Sequence, residues 1–430
     1  MSLGLRVRLS AMMFLQYFVW GIWLPILGLH LVKIGQTPDQ IGWMYTVYGF
    51  GAILGPFILG QLADRYLATE KVMALAHFLG GFLLIAAAYQ TKFWPVFILL
   101  FLYCNLYMPT MGLSNSITFR NIGDENQAAF PGIRLWGTIG WIIAGLFFTA
   151  YLESGTRVPA LQPLFRVEWI GQPVFRDCLR IAGVVSMLYA VYCLTLPHTP
   201  PTPAKATDPI DKKSAVIESL ELMRYRSFAV LVVIAGLIGI MLAFYFACEP
   251  LFLAAIGIPE KQVGAYMTIG QVAEFAVMVL IPISVAKLGV KKTMIIGAGA
   301  WATRFGLSVI GQPQWLMVVT IALHGFAFGF FFVVAQMYVD RAASKDIKAT
   351  AQNLLVFIIY GIGTIVGSVL AGRVRGYFTT VVDGKTVENW AGIWIGPFIL
   401  TVLCIIAFAL LFREREIGDA AKPSEQLVEV

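Results

Sequence analysis

Charge is scarce in this chain. Asp, Glu, Lys and Arg make up 13% of its 430 residues, about half the share of a soluble domain. That excludes an ordinary soluble enzyme or scaffold. The sequence pI of 9.1 does not point to nucleic acid, because the basic residues sit in short loops and form no single patch. Cysteine is scarce too. Cys104, Cys178, Cys193, Cys248 and Cys404 are scattered, with no CxxC spacing, so neither a disulfide framework nor a thiolate metal site is expected. No HExxH, HxxxxD, P-loop or GxSxG pattern occurs, and no polar stretch is long enough to form a soluble domain. An integral-membrane enzyme is therefore not expected, nor is a cofactor. A small-residue cleavage site is missing after the first apolar run, which continues to about Val32 and reads as a spanning helix.

What the chain does have is apolar sequence: 59% hydrophobic residues and a mean hydropathy of +0.78. Apolar runs of about 20 residues can cross a bilayer as helices. They predict twelve spans, at about 9–32, 40–62, 72–90, 94–116, 129–152, 179–197, 227–253, 262–286, 292–310, 315–337, 349–372 and 391–412. The expected fold class is an all-α membrane protein of twelve transmembrane helices in two six-helix halves, 1–197 and 227–412. A Pro- and charge-rich cytoplasmic linker at 198–226 joins them, and 413–430 is a cytoplasmic tail. Residues 218–226 of the linker are expected to form a short surface helix, and 153–178 an outer loop packed on the mouth. Of the 31 Lys and Arg residues, 19 fall in loops on the side of the termini and ten on the opposite side. The positive-inside rule then places both termini in the cytoplasm; the expected location is a bacterial inner (plasma) membrane. The halves echo each other: Trp136-Gly137 and Tyr360-Gly361 lie 224 residues apart, as parallel repeats would leave them.

Ionisable groups inside the spans are few, and each is a candidate for function. The segment Phe130–Trp141, FPGIRLWGTIGW, carries Arg134 near the start of the fifth span. A charge at mid-membrane costs roughly 2.5–3.5 kcal/mol on insertion scales. Arg134, Thr138 and Trp141 follow at i, i+4 and i+7, so one helix face presents a guanidinium, a hydroxyl and a large ring. Such a face suits a polar, planar solute. The alternative is that Arg134 snorkels to the near interface and Trp141 only packs. Glu274 lies near the centre of the eighth span, roughly 18 Å from either surface, too deep to snorkel. Gln271 precedes it by one turn. A carboxyl held that far from water can load and unload a proton; the alternative is a structural hydrogen bond. Arg304, central in the ninth span, fits a structural partner as well as a ligand. Glu249, before Pro250, reads either as a mouth or gate residue or as an interfacial charge. His77 and His324 read as satisfied core residues. Amides and aromatics also line other spans, among them Gln16, Trp20, Trp23, Asn105, Tyr107, Asn115, Phe328 and Gln336. Stripes of mixed amides and rings favour a cavity.

After the second span, GQLADRYLATEK resembles the loop signature of the major facilitator superfamily, with Leu67 where its second glycine stands. The resemblance implies a conformational latch at Asp64 and Arg65. FLQYFVWGIWLPILG, LYMPTMGLSNSIT, IRLWGTIGW, QVAE and AWATRF resemble, in the same order, segments of the nucleoside:proton symporters of that superfamily. That implies a solute site lined by Arg134, Thr138, Trp141, Gln271 and Glu274, with Glu274 coupling the proton, and Gln16, Asn105, Arg304 and Phe328 as further candidates. The chain departs from the family at Ala243-Phe-Tyr-Phe246, where the family places amides, and at Gly329, where it places an acid. Both positions serve nucleoside and ribose recognition in the family, so relaxed ribose recognition is expected here. The expected activity is proton-coupled import of a nucleoside or nucleoside-like solute by alternating access. Another small polar solute, such as a sugar derivative, is the alternative, and a non-transporting membrane receptor a more distant one. The expected partners are a small-molecule substrate, the proton and membrane lipid, with no nucleic acid and no metal. Nothing in the chain specifies an oligomeric state.

Overall fold

The computed structural model describes residues 1–154, 174–201, 222–342 and 348–414. Most of the expected outer loop, the middle of the linker, the first four residues of the expected surface helix and the tail beyond 414 lie outside those residues; of that helix, Leu222–Arg224 form a 3-10 turn. Among the described residues the apolar runs fold as twelve helices, because a backbone in hydrocarbon must satisfy its own polar groups. They are α1 (Leu3–Lys33), α2 (Pro38–Arg65), α3 (Thr69–Ala88), α4 (Phe93–Ile122), α5 (Phe130–Glu153), α6 (Asp177–Cys193), α7 (Arg226–Ala255), α10 (Gln314–Arg341), α11 (Ala351–Tyr377) and α12 (Trp390–Leu411). The eighth and ninth are residues 263–288 (α8) and 290–310 (α9) of Val263–Ile310, parted at Gly289 with φ 80° and ψ 171°. The span expected at 179–197 is corrected to 177–193; Pro197, which disfavours helix in the residue before it, keeps it from running further. One hairpin interrupts the all-helical pattern: β1 (Thr379–Val382) pairs antiparallel with β2 (Lys385–Glu388). Its turn residues Asp383 and Gly384 both have positive φ, as a two-residue hairpin turn requires.

Local sequence explains the starts, stops and irregular turns. Thr37 and Gln40 cap α2 reciprocally, with Pro38 in its first turn. Pro25 interrupts α1 between Trp23 and Leu27. The freed backbone groups are taken up by α2: Gly28 N–H donates to Tyr45 Oη at 3.0 Å, and Tyr45 Oη donates to Leu24 O at 3.3 Å. Tyr45→Phe removes both bonds at a buried site. Orphaned buried groups cost roughly 1–3 kcal/mol each, so the variant is expected to lower the melting temperature of the purified protein by several degrees; an unchanged melting curve would show that water takes over both groups.

The chain divides into two compact units. In the first, α1 lies along α5, α3 against α6 and α4, and α2 against α4. Close approach depends on glycine. A Cβ on Gly140 would collide with the Phe14 carbonyl, so α5 sits backbone to backbone on α1. Residues Tyr245–Ile269 and Ser368–Tyr377 also belong to this unit. The first of these is held by the Lys33–Glu260 ion pair (2.7 Å), a bond from Gln262 Nε2 to Glu153 Oε1 (2.6 Å) and one from Ala265 N to Thr149 Oγ1 (3.0 Å), and the second lies against α2, with Arg373 Nε 3.9 Å from Asp39 Oδ1. The second unit holds the first part of α7, the rest of α8 with α9 and α10, most of α11, and α12. Glu414 accepts from Val290 N (3.0 Å) and Lys291 N (3.4 Å), which caps α9 after the Gly289 turn. Phe305 and Phe244 pack on Trp394.

Candidate functional site

In the first unit the α5 face forms as the spacing predicts, and α1 supplies its backing. Trp141 is 7% exposed and meets Trp20 edge-on at 4.8 Å. Trp20 stacks on Tyr48 of α2 at 5.3 Å and 8°. Gly21 admits this contact, since a Cβ there would lie 3.0 Å from Trp141 Cα. Arg134 does not snorkel away along its own helix. Its Cζ lies 4.1 Å from the centroid of the Tyr17 ring, and the side chain is half-buried. Among the described residues no carboxylate and no other acceptor takes a hydrogen bond from it. Thr138 is similarly uncommitted. Thr110, Thr118, Thr293 and Thr401 each donate to a carbonyl about one turn back, whereas Thr138 makes no hydrogen bond to another described residue. Five guanidinium N–H groups and a hydroxyl are thus left to a solute or to water.

Gln16, one turn from Trp20, has a different job. It is completely buried. Its Nε2 donates to Thr110 Oγ1 at 2.8 Å and its Oε1 lies 3.0 Å from His77 Nε2. Tyr107 Oη donates to the Gln16 carbonyl at 2.6 Å. His77 Nδ1 lies 3.0 Å from Ser186 Oγ. In a neutral His77 ring the hydrogen therefore belongs on Nε2, facing an oxygen, and the single Ser186 hydroxyl hydrogen is shared between Nδ1 and the His77 carbonyl, 2.9 Å away. This chain of side chains ties α1, α3, α4 and α6 together. Gln16 is corrected from a solute-lining candidate to a structural one, because both ends of its amide are spent. Asn105 donates to Phe101 O at 2.8 Å, and its Oδ1 meets no donor among the described residues.

In the second unit, Gln271 is 8% exposed, and its Oε1 has no donor among the described residues. Glu274 follows by one turn and is half-buried. Its backbone is pressed by α10: a Cβ on Gly325 would overlap the Ala273–Glu274 peptide and lie 2.8 Å from Glu274 Cα. Arg304 has no exposed surface, which favours the structural of its two readings. The Phe328 ring lies 6.0 Å from His324 and opens a π-helical turn, Phe328–Val333, an irregularity often found at functional positions. Gly329 does not face open space. A Cβ there would stand 2.9 Å from Val277 Cγ1, so glycine serves the α8–α10 contact where the family resemblance placed an acid. Glu249, read as a mouth residue, is buried.

Asp64 and Arg65 are exposed and form no ion pair with another described residue. The ordered carboxylate at this end is Glu70, which sequence reasoning passed over. It accepts from Thr199 N at 3.0 Å and pairs with His198 Nδ1 at 2.8 Å. Asn121 Nδ2 donates to Thr199 Oγ1 at 3.0 Å, so the start of the expected linker is clasped to α3 and α4. Tyr17 and Tyr48 were missed as well. Nothing in their local sequence separates them from neighbouring core aromatics.

The profile of the family described as nucleoside H+ symporters matches residues 3–417. The chain belongs to the nucleoside H+ symporter family. YegT of Escherichia coli (strain K12) is 33% identical over 421 residues, covering 95% of this chain and 94% of that one. The xanthosine permease of the same organism is 30% identical over 411 residues, covering 91% and 92%. The crystal structure of the nucleoside transporter NupG superposes with a TM-score of 0.79 at 26% identity, covering 96% of this chain and 100% of that one. A member of the nucleoside H+ symporter family is an integral membrane transporter that handles a small molecule together with a proton, and this chain is such a transporter, not an enzyme.

Proposed function

We propose that this chain imports a nucleoside together with a proton by alternating access. Arg134, Thr138 and Trp141 of α5 and Gln271 and Glu274 of α8 contact the solute, and Glu274 carries the proton. The observation that bears most weight is Arg134. An intramembrane guanidinium, half-buried and meeting no acceptor among the described residues, is costly unless a ligand uses it. A nucleoside offers what the uncommitted groups lack. Its base carbonyls and ring nitrogens accept from Arg134 and Thr138, its ring packs on Trp141, and its ribose hydroxyls donate to Gln271 Oε1. A sugar derivative would leave the aromatic face without a partner. The excess of basic residues on the terminal side supports cytoplasmic termini, and the linker at 198–226 supports two moving halves.

Thermal stabilisation of the purified protein by nucleosides, free bases and pentoses tests this reading. A ligand at 100 times its Kd adds about 2.7 kcal/mol of stability. Nucleosides are expected to raise the melting temperature in proportion to the logarithm of their concentration. Stabilisation by pentoses and none by nucleosides would replace the substrate assignment. Discrimination between ribosides and 2′-deoxyribosides is expected to be weak, since neither Phe246 nor Gly329 offers a polar side chain; strong rejection of the deoxy forms would show that other residues read the ribose.

A further inference from the structure

We infer that Tyr17 of α1 is a positioning residue for solute binding: its ring seats the Arg134 guanidinium and fixes which edge of it faces the solute. The inference rests on the assignment of Arg134 to the solute site. A guanidinium is planar and can hydrogen-bond only along its rim, so its value to a ligand depends on how it is held. Arginine also carries more rotamer freedom than almost any other side chain, and that freedom is lost on binding unless the free protein already restricts it. In this protein no hydrogen bond to a described residue restricts Arg134. The Tyr17 ring does, with Cζ at 4.1 Å from its centroid, well inside the range of a cation–π contact.

The surroundings are shaped for this contact. A Cβ on Gly137 would lie 2.6 Å from Tyr17 Cδ2 and 2.8 Å from Arg134 Nη1. Glycine at 137 is therefore the notch that admits ring and guanidinium together. The helix that carries Tyr17 is held in turn. The preceding residue, Gln16, is locked by His77, Thr110 and Tyr107, and Gly140 seats α5 directly on α1 at Phe14. The aromatic neighbour Trp20 fixes the ring from its own side, at 6.0 Å. Seat and anchor on α1 and the notch on α5 converge on one side chain. The arrangement holds the guanidinium by its contact with the Tyr17 ring and leaves its N–H groups, which no described residue accepts from, to the ligand.

A double-mutant cycle tests the inference. Nucleoside uptake into proteoliposomes gives KM and maximal rate; thermal unfolding of each variant without nucleoside reports folding. Tyr17→Leu is expected to raise KM about 2- to 30-fold, the range of a cation–π contact, with the maximal rate little changed. Tyr17→Phe keeps the ring and is expected to restore wild-type KM. Tyr17→Leu combined with Arg134→Ala is expected to be no worse than Arg134→Ala alone, because the seat has nothing left to hold. Gly137→Ala closes the notch and is expected to reproduce the Tyr17→Leu effect, which provides a second route if Tyr17→Leu folds poorly. Additive effects of the two single substitutions, or failure of Tyr17→Phe to rescue, would overturn the role of Tyr17 while leaving the Arg134 assignment intact. An Arg134→Ala variant with wild-type KM would instead remove the assignment on which the inference stands.

Discussion

Replacing Glu274 with glutamine is expected to abolish accumulation of nucleoside against its gradient. The carboxamide has the same shape and makes similar contacts, but it cannot bind and release a proton near neutral pH. The backbone at this position is fixed by the close approach of Gly325, so the new side chain projects from the same place. With one proton moved per solute, an inward gradient of one pH unit supports about tenfold accumulation, since tenfold corresponds to 1.4 kcal/mol. In the glutamine variant the inside concentration is expected only to equal the outside. Exchange of internal for external nucleoside needs no net proton movement and is expected to persist. Accumulation in the variant at the wild-type level would take the proton from Glu274 and give it to another group.

The second large effect is expected at Arg134. Hydrogen bonds to a charged group contribute about 1.5–3 kcal/mol each, so Arg134→Ala should weaken nucleoside binding about 10- to 150-fold. Lysine keeps the charge but is a point donor without the planar rim. It also cannot lie flat on the Tyr17 ring as a guanidinium does. Arg134→Lys is therefore expected to recover less than half of the lost binding free energy. Isothermal titration calorimetry on the purified variants measures both. Full recovery by lysine would mean that only the charge matters; an unchanged affinity in the alanine variant would mean that Arg134 does not touch the solute.

Much of this molecule was legible from its residues, for identifiable physical reasons. Spanning helices are announced by length and hydropathy, because the bilayer imposes both, and the gap expected between the eighth and ninth spans falls at Gly289, where the two helices part. The α5 face was legible because Arg134, Thr138 and Trp141 share one helix and its period. What lay beyond reach came from packing between helices distant in sequence. Tyr17 and Arg134 are 117 positions apart, and nothing local marks one as the seat of the other. Gln16 looked like a lining amide until His77 and Thr110 were seen to consume it. Gly329 looked like a missing acid, yet it is filled from behind by Val277. Glu70 drew no notice in the sequence, yet it is buried under the chain leaving α6. In each case the residue type was read correctly, and its partner was not.

Proteoliposomes containing the wild-type protein alone, loaded at neutral pH and diluted into acidic buffer with a labelled nucleoside, give the most direct test of proton-coupled nucleoside import. The protein is expected to concentrate the nucleoside severalfold above the outside level, to lose that excess on addition of a protonophore, and to reach only equality when no pH difference is imposed. Uptake that reaches the same level with and without the gradient would contradict proton coupling, and vesicles that take up no nucleoside beyond protein-free controls would contradict the account as a whole.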